Sequence, residues 1–255
     1  MRLDDFRRRK GKEKIIMLTA YDYQIAKILD EEAIDIILVG DSLGMVFQGL
    51  QGTKSVTMRD MIYHTRAVAR GVKETPIIAD MPYKSDSTVE CALRNARRLI
   101  SAGAQGVKVE GDKSEVIDAL IKNGIPVMGH IGLLPQTATA YRVKGKLPEE
   151  AKKILDDALH LDEIGVFSMV LESMPEGLAK EITETISAPT IGIGAGKYCD
   201  GQVLVINDML GMDPTFSPKY LKRYAELNQT IKKAVREFRQ EVREGSYPDD
   251  EHSYR

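Results

Sequence analysis

Eight short, continuous apolar runs recur along this chain, at residues 15–21, 34–42, 76–82, 106–110, 125–130, 167–172, 189–194 and 203–208. Most lack strict apolar–polar alternation, so they read as strands buried on both faces, as in a parallel sheet. Between most of them lie stretches of helical periodicity, at 23–32, 57–70, 88–102, 113–122, 149–164 and 176–186. Several of these stop at a glycine before the next apolar run, as at Gly71, Gly103 and Gly165, and Thr57 stands where an N-cap belongs. The repeated order of helix, glycine and strand is the rhythm of βα units. Eight strands with intervening helices favour a closed (β/α)8 TIM barrel over an open doubly wound sheet. A chain of 255 residues suits such a barrel as one domain spanning 1–255 with a C-terminal helical extension. The connection at 195–202 is too short for a normal helix and is the weakest link in that count. Residues 218–243 read as one or two amphipathic helices, with Tyr224, Leu227, Ile231, Ala234, Val235 and Phe238 on a stripe. Their expected role is a last barrel helix covering the eighth strand. The polar tail at 247–255 reads as an exposed terminus or an oligomer arm.

Composition removes several classes of function. Apolar residues at 43% and charged residues at 29% are ordinary for a soluble globular chain. A net charge of −2, with no basic patch interleaved with aromatics, argues against a nucleic-acid partner. Cys91 and Cys199 lie far apart, so neither a disulfide framework nor a zinc ribbon follows, and a reducing cytoplasm is the expected location. Residues 1–14 are basic, but the apolar stretch after them at 15–18 is too short for a signal peptide or a membrane span.

Four acidic residues, Asp41, Asp80, Glu110 and Glu172, each sit at the C-terminal end of one of the apolar runs. In a parallel barrel those ends point into one shared pocket. Four carboxylates gathered there repel one another, and a bound cation or a perturbed pKa is the remedy. Asp41 and Asp80, on adjacent strand ends, suit Mg²⁺, which takes one or two protein carboxylates and completes its octahedron with water and substrate oxygens. The competing reading is that they cap helices or bind basic neighbours. Ser42 adds a hydroxyl and a backbone N–H for an oxyanion. Lys108 and Glu110 share one face of the fourth strand, because side chains repeat every two residues. They read either as a plain buried ion pair or as a clamp for a substrate carboxylate beside an acid near the metal. A Schiff-base role for Lys108 is disfavoured, since surrounding carboxylates hold a lysine protonated. Glu172 is the best candidate for a general base, because a glutamate in apolar surroundings can accept a proton near neutral pH. The alternative is a carboxylate held by a basic partner. His130 closes the fifth strand and fits equally a substrate or metal-water contact and a structural role. The four histidines show no ligand spacing, which disfavours zinc. The glycines at 192–196 resemble a barrel phosphate loop in composition alone.

Taken together, Thr19-Ala20-Tyr21-Asp22, Val39-Gly40-Asp41-Ser42-Leu43-Gly44-Met45, Lys108-Val109-Glu110-Gly111, Gly129-His130-Ile131-Gly132-Leu133, Gly192-Ile193-Gly194-Ala195-Gly196 and the tail with Tyr247-Pro248 and Glu251-His252-Ser253 resemble the ketopantoate hydroxymethyltransferase family. The resemblance runs in order over nearly the whole chain. It implies a barrel of the phosphoenolpyruvate mutase/isocitrate lyase type. It also implies transfer of a hydroxymethyl group from 5,10-methylenetetrahydrofolate to 3-methyl-2-oxobutanoate, giving 2-dehydropantoate in pantothenate synthesis. Carried onto this sequence, Asp41 and Asp80 would bind Mg²⁺, with Glu110 at the metal or in its water shell. Asp41, Ser42, Asp80, Lys108 and His130 would contact the 2-oxo acid, and Glu172 would be the base. The resemblance further implies a cytoplasmic homo-oligomer, typically a homodecamer, with no nucleic-acid or membrane partner. Mn²⁺ and Co²⁺ fit the same oxygen-rich set. The segment 137–144 departs from the family pattern: the usual glycine pair is absent and Lys144 stands where Gln is usual. Closure and folate contacts of that loop are therefore the part least implied.

Two other readings stay open on sequence. One is another Mg²⁺-dependent 2-oxo acid lyase or phosphomutase on the same barrel. A reactive cysteine on the loop after the third strand would support it, but 81–87 has none and Cys91 falls within a predicted helix. The other is a binding-only barrel, which the intact set of four acids opposes.

Overall fold

A computed structural model describes residue 3 and residues 5–255. The N-terminal stretch read as basic falls partly on residues 1, 2 and 4, outside the described residues. The elements run α1 (Asp5–Arg9), β1 (Ile15–Thr19), α2 (Tyr23–Glu31), β2 (Ile36–Val39), α3 (Leu43–Val46), α4 (Met58–Gly71), β3 (Ile77–Asp80), α5 (Val89–Ser101), β4 (Gly106–Glu110), α6 (Ser114–Lys122), β5 (Val127–Gly132), α7 (Pro148–Ile164), β6 (Ser168–Glu172), α8 (Glu176–Thr185), β7 (Thr190–Ile193), β8 (Gly201–Leu204), α9 (Ile206–Met209) and α10 (Leu227–Glu244). All eight strands are parallel and close into a barrel in sequence order, β8 pairing with β1 through Ile15–Gly201 and Met17–Val203. The closed (β/α)8 barrel expected from the apolar runs is the fold observed.

The local signals act as read. Thr57 caps α4 and forms a reciprocal capping box with Asp60. Thr88 accepts from the Cys91 backbone N–H at the start of α5, and Gly165 ends α7 in the left-handed conformation. No helix lies between β7 and β8, as the short connection requires. The barrel closes there because of Gly201, where a Cβ would collide with the Ile15 carbonyl oxygen of β1. Most strand ends shift by one to three residues from the predicted runs, and the eighth shifts most: it starts two residues before the predicted 203 and ends at Leu204, because 206–209 turn into α9.

The chain forms two compact units, one ending at Val205 and one comprising Ile206–Arg255. In the first, the barrel interior is packed with Met17, Ile36, Ile78, Met128 and Ile191, joined by Leu3 and Phe6. Phe6 is fully buried, so α1 plugs the N-terminal end of the barrel and leaves the C-terminal end for chemistry. That role was not legible from a segment read only as basic. Phe6→Ala should cost about 3–5 kcal/mol of stability in a denaturant titration, the usual cost of truncating a buried phenylalanine. A loss below about 1 kcal/mol would remove the plug from the barrel's energetics.

The second unit is held by backbone bonds from Tyr224 to Met209 and from Leu227 to Leu210. Its main helix, α10, carries no buried residue, and Ile231, Val235, Phe238 and Val242 are all exposed. The stripe read from the sequence is thus apolar and exposed along α10. The tail is exposed, with the Tyr247 ring 5.5 Å from that of Phe238. Among the described residues no helix is long and apolar enough to cross a membrane.

Candidate active site at the barrel mouth

Strand register brings the singled-out side chains together. Asp80 on β3 pairs with Lys108 on β4, Glu110 with His130 on β5, and Gly132 with Glu172 on β6. Asp41 follows β2 directly, and its backbone N–H donates to Asp80 Oδ2 at 2.9 Å. Lys108 Nζ lies 2.9 Å from Asp80 Oδ1 and 3.3 Å from His130 Nδ1. His130 Nδ1 is 3.6 Å from Glu110 Oε1, and its Nε2 is 3.2 Å from Glu172 Oε2. Lysine has donors only, so Nδ1 accepts and the imidazole proton sits on Nε2, facing Glu172. Asp41, Asp80, Lys108, Glu110 and His130 are all buried, and Glu172 is partly open.

Two close approaches shape the floor. A Cβ at Gly40 would stand 2.8 Å from Ser42 Oγ and 3.6 Å from Asp80 Oδ2, so the strand end must be glycine to admit both groups. Gly132 has φ +96°, and a Cβ there would collide with the Glu172 carbonyl oxygen. Ser42 precedes α3, and its Oγ is 2.8 Å from the Tyr21 hydroxyl rather than bonded to any carboxylate.

The structure adds residues that sequence reasoning did not single out. Gln136 is buried, and its Nε2 donates to Asp41 Oδ2 at 2.7 Å and to the Met81 carbonyl at 2.9 Å. Its backbone N–H donates to Glu110 Oε2 at 3.1 Å. One residue thus orients two carboxylates and ties the β5 loop to the ends of β2, β3 and β4. Its only sequence signal is an amide among apolar neighbours, Leu133-Leu134-Pro135. Tyr21, whose hydroxyl is 2.8 Å from Ser42 Oγ, lies two residues past β1; the sequence placed it at the end of the first apolar run and in a family motif, without a role of its own. The departing loop sits by the mouth. Burial first, and then the charges of Glu172, Asp41 and Glu110, raise the Tyr141 phenol above its ordinary range. Arg142, Lys144 and the Gly145 N–H all engage Glu150 of α7.

Electrostatics follow from four carboxylates facing one ammonium. Burial, reinforced by Asp80 and Glu110, pushes Asp41 well above the carboxylate range. Burial raises Glu110 to about 7 against the pull of Lys108, and raises Glu172 to about 7 in the same way. Burial opposes the charge on Lys108, but Asp80, Glu110 and Asp41 outweigh it and hold the ammonium above its ordinary range. Burial and Lys108 keep His130 neutral. Among the described residues, no group of three or more His, Cys, Asp or Glu side chains is set to hold a metal ion as it stands. The donor chemistry nevertheless fits a hard divalent cation held by one or two carboxylates. The oxygens are hard, and four acids gathered around one ammonium cannot all ionise without added positive charge.

These raised groups make metal-free stability depend on pH. The folded chain keeps protons on Glu110, Glu172 and Asp41 that the unfolded chain releases near pH 4–4.5. The contribution of Glu110 and Glu172 is therefore full below that range and is lost as pH rises through about 7, and that of Asp41 changes in the same direction. Glu172 alone contributes about 3 kcal/mol of this change. Asp208, raised to about 6 by burial and Asp213, adds in the same direction. His130, neutral when folded, opposes it with a single group. The melting temperature in EDTA should be several degrees higher at pH 6 than at pH 8; the reverse order would contradict these assignments.

Comparison with known proteins decides the family. The family model described as "Ketopantoate hydroxymethyltransferase" matches residues 1–250. The chain belongs to the ketopantoate hydroxymethyltransferase family. A relative from Caldicellulosiruptor saccharolyticus, named 3-methyl-2-oxobutanoate hydroxymethyltransferase, is 53% identical over 98% of this chain and 97% of its own length. Among solved structures, a phosphonopyruvate hydrolase complex with oxalate and Mg²⁺ superposes with TM-score 0.65 at 12% identity, covering 99% of this chain and 93% of that one. A 2,3-dimethylmalate lyase, described as a PEP mutase/isocitrate lyase superfamily member, gives TM-score 0.62 at 13% identity, covering 100% and 92%. At that identity the two structures share the barrel fold and nothing finer. The lyase and binding-only alternatives gain no support, and Cys91 indeed lies within α5. Membership of the hydroxymethyltransferase family stands with the barrel-mouth geometry.

Proposed function

We propose that this chain transfers a hydroxymethyl group from 5,10-methylenetetrahydrofolate to 3-methyl-2-oxobutanoate, giving 2-dehydropantoate, with Mg²⁺ as the metal. The observation that carries this reading is the pairing of a buried ammonium, Lys108 against Asp80, with a glutamate that titrates at about 7 and opens to the same mouth. A 2-oxo acid needs the first for its carboxylate, and a carbon acid needs the second.

Lys108 and the Ser42 hydroxyl would bind the substrate carboxylate and fix the acid so that its C3–H faces Glu172. Asp41 and Asp80 would hold Mg²⁺ directly, and Glu110 would act through its water shell, since its Oε2 is already committed to the Gln136 N–H. When bound, the ion supplies Lewis acidity to the carboxylate and keto oxygens of the substrate. Glu172 takes the C3 proton, with the neutral His130 ring beside its carboxylate at 3.2 Å. Gln136 keeps Asp41 from turning away from the mouth. The substrate carbon then bonds to the one-carbon unit; the C–N bonds to the folate break, water supplies the hydroxyl oxygen, and tetrahydrofolate leaves with its nitrogens protonated. The setting this implies is a cytoplasmic homo-oligomer, a homodecamer by family resemblance, working on free small molecules.

Purified protein incubated with both substrates and Mg²⁺ should form 2-dehydropantoate, read by mass, and EDTA should stop it. No product with Mg²⁺, Mn²⁺ or Co²⁺ would overturn the assignment.

A further inference from the structure

The neighbouring helices α4 and α5 line a groove of about 660 Å³. Arg59, Arg66 and Arg70 from α4 and Arg97 and Arg98 from α5 line it, with Tyr63 beside them. Positions 59, 63, 66 and 70 share one helix face, and the run from Arg59 to Arg70 spans about 16 Å at 1.5 Å per residue.

Three observations set this groove apart. None of the five arginines makes an ion pair among the described residues; Arg97 and Arg98 reach only the amide oxygens of Asn123 and Asn95. Elsewhere the barrel's helices neutralise their surface cations at i,i+4, as in Lys27–Glu31, Lys122–Asp118, Lys153–Asp157 and Lys180–Glu184. Arg66 and Arg70 instead place like charges four apart, which opposes helix stability by a few tenths of a kcal/mol. The nearest acid on α4, Asp60, is committed to capping Thr57. Lastly, the Tyr63 ring is 70% exposed, an apolar face left open next to the charges.

We infer that this groove binds a chain of linked phosphates, supplied as inorganic polyphosphate or as a nucleoside triphosphate. Guanidinium forks match phosphate oxygens bidentately, and linked phosphates bring several negative charges within the length of the row. The groove has the volume of a small-molecule site, and the chain's net charge of −2 gives no continuing basic track for a nucleic acid. Tyr63 offers a stacking face to the base of a nucleotide. Helical spacing alone puts Arg59, Arg66 and Arg70 on one face of α4, and the fold adds Arg97 and Arg98 from α5.

The test is calorimetric titration of the intact protein with sodium tripolyphosphate and, separately, with ATP, both in EDTA at low salt. Micromolar binding is expected, weakening as salt rises. The double variant Arg66→Gln, Arg70→Gln should bind at least about tenfold more weakly while keeping its hydroxymethyl transfer rate and melting temperature. Tighter binding of ATP that Tyr63→Ala abolishes assigns a nucleotide; equal binding of the two assigns inorganic polyphosphate. Absence of binding to both, or affinity unchanged in the double variant, overturns the inference. A double variant with altered oligomeric mass, beside a wild type that binds neither ligand, makes the groove a contact between copies and overturns it too.

Discussion

Glu172→Gln should bind the metal and the 2-oxo acid almost normally and turn over about a thousandfold more slowly, the usual scale for losing a general base. Glutamine keeps the shape of the side chain and its approach to His130, 3.2 Å away in the parent, but cannot accept a proton from carbon. KM for the oxo acid should change little, since the binding groups Lys108 and Ser42 are untouched. The pH profile should change as well. In the parent, kcat/KM should fall on the acid side, as the Glu172 carboxyl, held above its ordinary range by burial, takes up its proton. The variant's residual rate should lose that dependence. Near-normal turnover with an unchanged profile would move the base elsewhere.

Asp80→Asn should act on binding instead. Asp80 Oδ2 accepts from the Asp41 N–H, and its Oδ1 faces Lys108 at 2.9 Å. Asparagine preserves the first contact but removes the charge that a cation and Lys108 both need. Truncation to alanine would confuse the result, because it also removes the contact from the Asp41 N–H and leaves a cavity at the strand end. With asparagine the fold should persist. Mg²⁺-dependent binding of 3-methyl-2-oxobutanoate should weaken by several kcal/mol, a factor on the order of a thousand. Unchanged calorimetric affinity would take Asp80 out of the metal site.

The barrel was legible because each βα unit announces itself locally: an apolar run, a cap such as Thr57, a stop such as Gly165. The acids were legible because a strand end in such a barrel has one place to point. Register then did what spacing suggested, setting Lys108 and Glu110 on one face beside Asp80 and His130. The contacts that bridge distant segments were not legible. Gln136 reaches Asp41 across 95 positions, and nothing in either neighbourhood marks the pair. Phe6 plugs the barrel from a segment whose neighbours are charged. The stripe on α10 was legible as amphipathic, but periodicity reports that a face is apolar and not what covers it.

The most direct test of the barrel-mouth chemistry is proton NMR of 3-methyl-2-oxobutanoate in D₂O with the purified protein, with and without Mg²⁺ and in the absence of folate. Loss of the C3–H signal with Mg²⁺, none in EDTA, and none with Glu172→Gln is the predicted result. Exchange that persists in Glu172→Gln, or no exchange in the parent under any metal condition, would contradict it.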